Sequence, residues 1–281
     1  MDASRSDADA DARARSFAGW PRRGLLSSLA VAALLGTPDS GAGAKKKKKK
    51  CRFSKTETVW TLKKNCTTKA QIELPDGVAL DGNGKTIKLA GTTDAVGLAG
   101  VRGTGGMRNL TIDGANLQGT CEPSSFCGIF AAGGTVDAVT VRNLPCGIGI
   151  VGSLAPTTII NSRVDNVGGG GIGIAVFDEA TVQDNAVVDC DSGILVSGTF
   201  ADGVVINNTV VGRGEIAQKV NGIAYEATAT GSVGGNEVSG FFSSNAVACG
   251  ILLSEGTTPA LDGGNTFPNG GNEQNICDFR V

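Results

Sequence analysis

Histidine is absent from the 281-residue chain, and this limits the chemistry that the protein can perform. Without histidine, the usual zinc-finger and histidine–zinc patterns are excluded. The side chain that most often serves as an acid or base near neutral pH is also missing. The cysteines do not form paired C-x2-C knuckles, which removes a further zinc-binding pattern.

Aromatic residues and helical patterns are scarce as well. The chain has 10 phenylalanines, 2 tryptophans and 1 tyrosine, against 43 glycines and 8 prolines. After Cys51 there is no apolar run with helical periodicity and capping residues. Valine, isoleucine, threonine and asparagine fill the second half instead. The composition therefore predicts an all-β protein.

A basic stripe is absent from the body of the chain. Residues 51–281 carry 14 cations and 22 acids, whereas residues 1–50 carry 11 cations and 5 acids. Neutralisation of phosphates supplies most of the affinity of nucleic-acid-binding proteins. Because the body is acidic, we expect no nucleic-acid partner.

The N-terminal region has the pattern of an export signal. Arg22 and Arg23 precede an apolar stretch, Gly24 to Gly36, and the small residues Ala42 to Ala44 follow. Thirteen residues at about 1.5 Å each cannot cross a hydrocarbon core of about 30 Å, so we expect no stable membrane span. We predict an export signal over residues 1–44 and an extracellular or cell-surface location. The arginine pair resembles a twin-arginine signal, and the export route is left open.

Cleavage after Ala44 would leave the lysine run Lys45 to Lys50 at the new N-terminus. One interpretation is a solvated, disordered arm. The other is adhesion to an anionic envelope surface, with about 1 kcal/mol from each lysine near anionic lipid. We predict a disordered basic arm over residues 45–57 and a repeat domain with its end caps over residues 58–281.

Eight cysteines fit an oxidising compartment, and their even number permits full pairing. Cys51 and Cys66 could close the start of the body, and Cys121 and Cys127 bracket a short loop. The connectivity of the remaining cysteines cannot be read from their spacing.

A Gly-Ile pair recurs through the second half of the chain. It stands at Gly128, Gly147, Gly171, Gly193, Gly222 and Gly250, at spacings of 19, 24, 22, 29 and 28 residues. Repetition in this range indicates stacked units rather than a single wound sheet.

A second pattern, a polar residue, one spacer and an apolar residue, recurs every 23 to 29 residues between these pairs. Each unit is too small to bury its own apolar face, so we predict a parallel solenoid of β coils about 4.8 Å apart. Stacking would align the polar residues, so that their side chains bond to one another and to turn backbone. The predicted structural ladder consists of Ser162, Asn185, Asn208, Asn236 and Asn265.

These patterns, together with the segments "NCTTKAQIELPDGVALDGNGKTIKL" and "MRNLTIDG", resemble right-handed parallel β-helix repeat proteins of the pectin-lyase-like superfamily. The resemblance covers roughly Thr58 to Cys277. It implies a single-stranded right-handed parallel β-helix, with the turn Leu80 to Ile87 in an early coil. Members of this superfamily include polysaccharide lyases, hydrolases and epimerases, along with surface proteins of no known activity. The fold therefore leaves the function open.

Two glycine-rich motifs do not indicate a cofactor. "GIGIVG", from Gly147 to Gly152, has the G-x-G-x-x-G spacing, but no helical segment follows it, so we predict no dinucleotide cofactor. In "VGGGGIGIAVFDE", Asp178 lies too late for a calcium-binding nonapeptide, and the EF-hand pattern is missing. Calcium held between coils, near Asp165 and Asp189, is left open.

The outward side of the strand after each Gly-Ile pair is where active members of this superfamily often have their sites. If Ile148, Ile172, Ile194, Ile223 and Ile251 point inward, the residues two and four places after each glycine point outward. Among those outward residues, only Glu226 can ionise. Glycoside hydrolysis normally needs two carboxylates, and lyase chemistry needs a base plus neutralisation of a uronate. This face offers neither set.

Charged residues also flank the predicted ladder. Arg163 and Asp165 of one coil could neighbour Asp184 and Asp189 of the next. Such charges either solubilise a β coil or contribute to a site. Arg142 precedes Asn143 on this face, and Arg213 and Glu215 lie in the longest insertion between the repeats, "VGRGEIAQKVN", where function is more common than in the coils.

The segment "VVDCDSGILVSG", from Val187 to Gly198, places Asp189 and Asp191 on either side of Cys190. In the repeat register, Asp189 to Ser192 forms the corner before the strand that Gly193 opens. Asn166 and Gly212 occupy the Asp189 position in neighbouring coils, and Asp, Asn and Gly all tolerate tight turns. We predict a turn whose side chains bond to backbone amides, rather than a catalytic pair.

Two functions agree with these observations, and no catalytic residue is assigned. The first is an exported, envelope-associated scaffold, either structural or glycan-binding, without catalysis. The alternative is a polysaccharide lyase or hydrolase that acts on acidic polysaccharide through a site built by loops.

Overall fold

Short apolar strands bounded by glycine and asparagine coil the chain into a parallel β-solenoid of about eight turns in the computed structural model. The structure describes residues 50–93, 99–118, 126–268 and 271–280. The prediction of an all-β parallel β-helix is confirmed. The strands are β1 (Phe53–Lys55), β2 (Val59–Leu62), β3 (Cys66–Thr68), β4 (Ile72–Glu73), β5 (Ala79–Thr92), β6 (Ala99–Gly103), β7 (Met107–Gln118), β8 (Cys127–Ala131), β9 (Gly134–Asp137), β10 (Thr140–Leu144), β11 (Ile148–Gly152), β12 (Thr157–Ile160), β13 (Arg163–Val176), β14 (Ala180–Gln183), β15 (Ala186–Ser197), β16 (Asp202–Ile206), β17 (Thr209–Ile216), β18 (Asn221–Glu226), β19 (Thr230–Gly234), β20 (Glu237–Ser243), β21 (Cys249–Leu253), β22 (Ala260–Leu261) and β23 (Gln274–Asp278).

Each coil contributes to three stacks of parallel strands. The first stack contains β6, β8, β11, the ends of β13 and β15, β18, β21 and β23. The second contains β2, the beginnings of β5 and β7, β9, β12, β14, β16, β19 and β22. The third contains β3, the middle of β5 and β7, β10, the beginnings of β13 and β15, β17 and β20. Among the described strands, only β1 pairs antiparallel, with β2 at the start of the domain.

A column of six isoleucines forms the inward side of the first stack. Each is at most 1% exposed: Ile129, Ile150, Ile174, Ile194, Ile223 and Ile251. Ile150 is in register with Ile129 and with Ile174, so the expectation that Ile148 and Ile172 point inward is wrong. The sequence "GIGI" contains two Gly-Ile pairs, and the isoleucine of the second pair is the one that points inward.

The reason for this register is steric. A Cβ atom on Gly149 would lie 2.4 Å from a methyl group of Val164 on the neighbouring coil. The same clash would occur between Gly173 and Val187, at 2.3 Å. The glycines before the first five inward isoleucines therefore make room for core valines of the third stack, and Gly250 makes room for Asn272 and Phe267. Spacing alone does not show which glycine faces a valine.

The outward side of the first stack is apolar too. Its buried side chains form a second apolar cluster, separate from the main core, which comprises Ala99, Cys127, Phe130, Ile148, Val151, Ala175, Leu195, Ala224, Cys249, Leu252 and Cys277. Glu226 lies at the end of β18, where its carboxylate is 3.7 Å from Lys219 Nζ. This face therefore carries no described pair of carboxylates.

Hydrogen bonds join the residues Ser162, Asn185, Asn208, Asn236 and Asn265 from coil to coil. In each step, the backbone amide of one residue donates to the side-chain oxygen of the next asparagine, at 2.9 to 3.1 Å. The side-chain amides of Asn185, Asn208 and Asn236 donate to the same oxygens at 3.0 to 3.1 Å. The three inner asparagines are at most 2% exposed, so these bonds lie in a dry interior.

Disulfides close both ends of the described domain. Cys51 bonds to Cys66 at the start, and Cys249 bonds to Cys277 between β21 and β23. Strand β1 begins at Phe53, ahead of Thr58 where we expected the repeat domain to begin. The predicted export signal, the lysines before Lys50 and Cys121 lie outside the described residues. No helix within the described ranges has the length and apolarity needed to span a membrane.

Candidate functional site

The chain turns from the third stack into the first at a corner with a left-handed backbone. Asn143, Asn166 and Asp189 occupy this corner in successive coils, with φ angles of 56°, 59° and 53°. Asparagine and aspartate adopt this conformation at lower cost than other residues with a side chain. The sequence therefore selects Asn or Asp here for a backbone reason, and places polar side chains in a line along the solenoid.

These side chains form a hydrogen-bonded chain across the coils. The Asn143 amide group donates to Asp113 Oδ1 at 3.1 Å, and its oxygen accepts a bond from the Asn166 amide group at 3.0 Å. The oxygen of Asn166 in turn accepts a bond from Arg213 Nη2 at 2.9 Å. Asp113, Asn143, Asn166 and Arg213, which come from four different strands, are thus connected.

Arg213 reaches back over the preceding coils from the insertion on β17. Its Nη2 donates to the Asp189 carbonyl at 2.8 Å as well as to Asn166, and its Nε lies 3.4 Å from Asp191 Oδ1. The other carboxylate oxygen of Asp191 accepts the backbone amide of Gly170 at 2.6 Å. The insertion therefore anchors itself to the two preceding coils through one guanidinium group.

A second ion pair lies at the other end of this chain of polar groups. Arg142 Nη2 is 3.1 Å from Asp113 Oδ2, and the Asp113 side chain is only 8% exposed. Burial alone would raise the pKa of Asp113, but hydrogen bonds from Asn143 and from the Ala115 amide, together with the Arg142 guanidinium, hold it below its ordinary value. Asp113 is therefore ionised at neutral pH.

Small residues open a groove between these polar groups. Its volume is about 490 Å³, and it is lined by Gly114, Ala115, Leu117, Asn143, Leu144, Pro145, Asn166, Gly168, Gly169 and Arg213. A Cβ atom on Gly168 would lie 3.2 Å from Arg213 Nη1, so glycine at this position avoids a close contact with the guanidinium group. Within the described residues, Arg213 Nη1 makes no hydrogen bond. The groove thus offers guanidinium and amide donors together with amide oxygens.

A second groove, about 410 Å³ in volume, lies at the corner between the second and third stacks of the early coils. Asn83 and Asn109, both with φ of 51°, contribute to its wall. Asp81 also lines it and pairs with Arg108 at 3.1 Å. This groove lacks the chain of side-chain bonds that defines the first one.

The charged residues that were expected to neighbour one another around Asp189 have partners within their own coils. Asp165 is in register with Val188, and its carboxylate pairs with Arg163 of its own strand at 3.0 Å. Asp184 accepts a hydrogen bond from Gln183. Asp165 falls one position before the corner, so Asn166 is in line with Asp189 and Asp165 lies one residue away from it.

The two aspartates around Cys190 have different roles. Asp189 takes the left-handed corner position, as predicted for a turn residue, and Asp191 accepts a backbone amide. The ion pair between Asp191 and Arg213 was not predicted, because the two residues lie on different coils and the reach of an insertion cannot be read from repeat spacing. The 23-residue interval from Asn143 to Asn166 and from Asn166 to Asp189 was the available signal for this corner.

No group of three His, Cys, Asp or Glu side chains suited to a metal ion occurs in the ranges that the structure describes. Calcium bound between coils therefore stays an untested hypothesis. No protein-family model matches the chain, and no curated protein matches it significantly. The fold and the groove are thus the basis for any functional assignment.

Proposed function

We propose that the protein is an exported, envelope-associated β-solenoid that binds glycan chains without cleaving them, in the groove between Asp113 and Asp191. The observation that carries this proposal is the hydrogen-bonded chain through Asn143, Asn166 and Arg213 along the groove. It runs along the direction in which the coils stack, which suits a linear polymer.

The polar groups of the groove match the hydroxyl groups of a sugar. A hydroxyl both donates and accepts, and so does a carboxamide. Asn143 and Asn166 each use one amide hydrogen in the bonds described above, which leaves a second hydrogen and further lone pairs for a ligand. Arg213 Nη1 adds further donors beside Gly168. The uncharged amides of Asn143 and Asn166 can therefore bind sugars along the length of the groove.

The state of the carboxylates favours binding over catalysis. A glycosidase needs one carboxylic acid with a raised pKa as proton donor. Asp113 has a lowered pKa and is bound to Arg142. Asp191 is engaged by Arg213 and by the Gly170 amide. Both carboxylates therefore hold the groove in shape.

The disulfides support the proposed location. Disulfides such as Cys51–Cys66 and Cys249–Cys277 typically form and persist in oxidising compartments. The export-signal pattern in residues 1–44 points to the same compartment.

A matched pair of glycine substitutions tests the binding site. Asn166→Gly removes an amide from the groove, and Asn161→Gly removes an exposed amide from another corner of the same coil. Both positions have positive φ, 59° and 50°, which glycine adopts without strain. The full chain is first screened against bacterial-wall and plant polysaccharides, neutral and acidic, and the retained glycan is then titrated calorimetrically.

We expect Asn166→Gly to weaken binding about tenfold, equivalent to the loss of one or two hydrogen bonds. Asn161→Gly should bind like the wild type. No retention of any polysaccharide at any salt concentration, or equal losses in the two variants, would contradict glycan binding in this groove.

A further inference from the structure

Among the residues that the structure describes, the lysines and arginines of the first coils differ from the later ones in forming no ion pairs. From Ala99 onward, the described residues include seven lysines and arginines, and each of them forms an ion pair with an aspartate or glutamate. From Lys50 to Lys88 there are eight, and none forms an ion pair with another described residue. The charge balance changes accordingly, from eight cations and four acids before Ala99 to seven cations and sixteen acids after it, counted over the described residues.

Five of these eight cations lie in the first two coils, either at the junction of the second and third stacks or on the third-stack part of β5 that follows it. The Lys63 amide donates to the Arg52 carbonyl at 3.0 Å, which places these two residues side by side. The Thr86 amide donates to the Asn65 side chain at 2.9 Å, so Lys85 and Lys64, which precede these two residues, are also neighbours. We call this surface the basic corner, and it consists of Arg52, Lys63, Lys64, Lys85 and Lys88.

Three acids of these coils and of the next one are already engaged. Asp113 is the register partner of Lys88, but its oxygens bind Arg142 and Asn143. Glu73 and Asp81 of the early coils pair with arginines of the following coil, at 3.7 and 3.1 Å. Like charges on neighbouring strands repel one another, and a bound anion would relieve this repulsion.

We propose that the basic corner binds a carboxylate-bearing polysaccharide, separately from the glycan groove. Lysine is a flexible, hydrated point charge, so four lysines suit a polymer with repeating carboxylates better than one ligand held in a fixed geometry.

The apolar residues of the surface argue against a membrane as the partner. Interfacial binding to a bilayer requires apolar side chains that insert between lipids. The exposed large apolar side chains of the described residues begin at Leu154 and lie in later coils, so the first two coils have none. The basic corner therefore presents charge without an inserting group.

The test measures binding of the full chain to polygalacturonate, with size-matched neutral galactan as a control. The double variant Lys64→Gln/Lys88→Gln is compared with Arg163→Gln/Lys219→Gln, which removes the same charge from exposed ion pairs in later coils. We expect the first variant to lose about three- to fivefold in affinity per lysine at low ionic strength, and the wild type to lose affinity as salt is added. The second variant should bind like the wild type.

Three results would overturn the proposal. Equal losses in the two double variants would show that only net charge matters. Unchanged binding by Lys64→Gln/Lys88→Gln, with complete loss when Lys45–Lys49 are replaced by glutamine, would assign the binding to the lysine run alone. Binding to vesicles of phosphatidylcholine and phosphatidylglycerol, without binding to polygalacturonate, would identify a membrane partner. Because Asn166→Gly leaves the basic corner intact, a loss of glycan binding in the groove is measured separately from a loss of binding at the basic corner.

Discussion

Replacing Asn208 by alanine should destabilise the solenoid more than any substitution at the end of the same hydrogen-bonded row. The Asn208 oxygen accepts the backbone and side-chain amides of Asn185, both at 3.0 Å. Its own amide donates to the Val182 and Ile206 carbonyls at 2.9 and 3.0 Å, and to Asn236. With Asn208 only 1% exposed, water cannot replace these partners.

The magnitude follows from the groups left behind. A buried polar group without a partner costs about 1–3 kcal/mol, and the Asn185 backbone amide would become one. The loss of bonds to Val182 and Ile206 adds to this, so we expect a total of about 3 kcal/mol. Asn265→Ala is the control, because Asn265 is the half-buried last rung and water can reach its partners. It should cost about 1 kcal/mol or less.

Urea unfolding followed by far-ultraviolet circular dichroism measures both variants, and an unchanged m-value is required for the comparison. Hydrogen exchange of the Asn185 amide gives a local readout, and it should accelerate in Asn208→Ala alone. A loss below about 1 kcal/mol for Asn208→Ala, or equal losses in the two variants, would refute the claim that the inner rungs are dry and mutually dependent.

Three further predictions concern single residues. Gly193→Ala should abolish soluble expression or cost more than about 3 kcal/mol, since its Cβ would lie 2.2 Å from a carbonyl oxygen of the next coil, whereas Gly263→Ala, with nothing within 4 Å, should be tolerated. Cys190 should resist iodoacetamide at pH 8 until urea is added, because burial raises the pKa of its thiol to about 12, and peptide mass spectrometry detects the alkylation. Asp113 has a lowered pKa in the folded state, so its contribution to stability is present above its unfolded pKa of about 4 and is lost as the pH falls through the folded value. Asp113→Asn should therefore show a flatter dependence of the melting temperature on acid pH, and an unchanged slope would contradict this assignment.

Repeat spacing was sufficient to predict the coiled architecture and the inward isoleucines of the later coils. Each unit of 19 to 29 residues can bury its apolar side only against its neighbours, and that requirement alone leads to a solenoid. The doubled "GIGI" was ambiguous, because both Gly-Ile pairs satisfy the spacing. Contact of Gly149 with Val164 decides between them, and that contact is known only once coils are stacked.

The groove was predictable only in part. The recurrence of Asn143, Asn166 and Asp189 marks a corner, and the left-handed backbone explains their residue types. The side-chain partners were not predictable, because Arg213 crosses 47 residues of sequence to reach Asn166. Insertions leave the repeat register, so the direction in which they fold depends on contacts and not on spacing.

The central claim, binding without cleavage, is tested most directly by prolonged incubation of the full chain with the glycan that it retains. Binding is followed by calorimetry, and the same sample is assayed for unsaturated products and for new reducing ends. The account predicts saturable binding that Asn166→Gly weakens, with glycan length unchanged throughout. Release of products that Asp191→Asn abolishes would contradict it, and would identify the groove as the active site of a lyase or hydrolase.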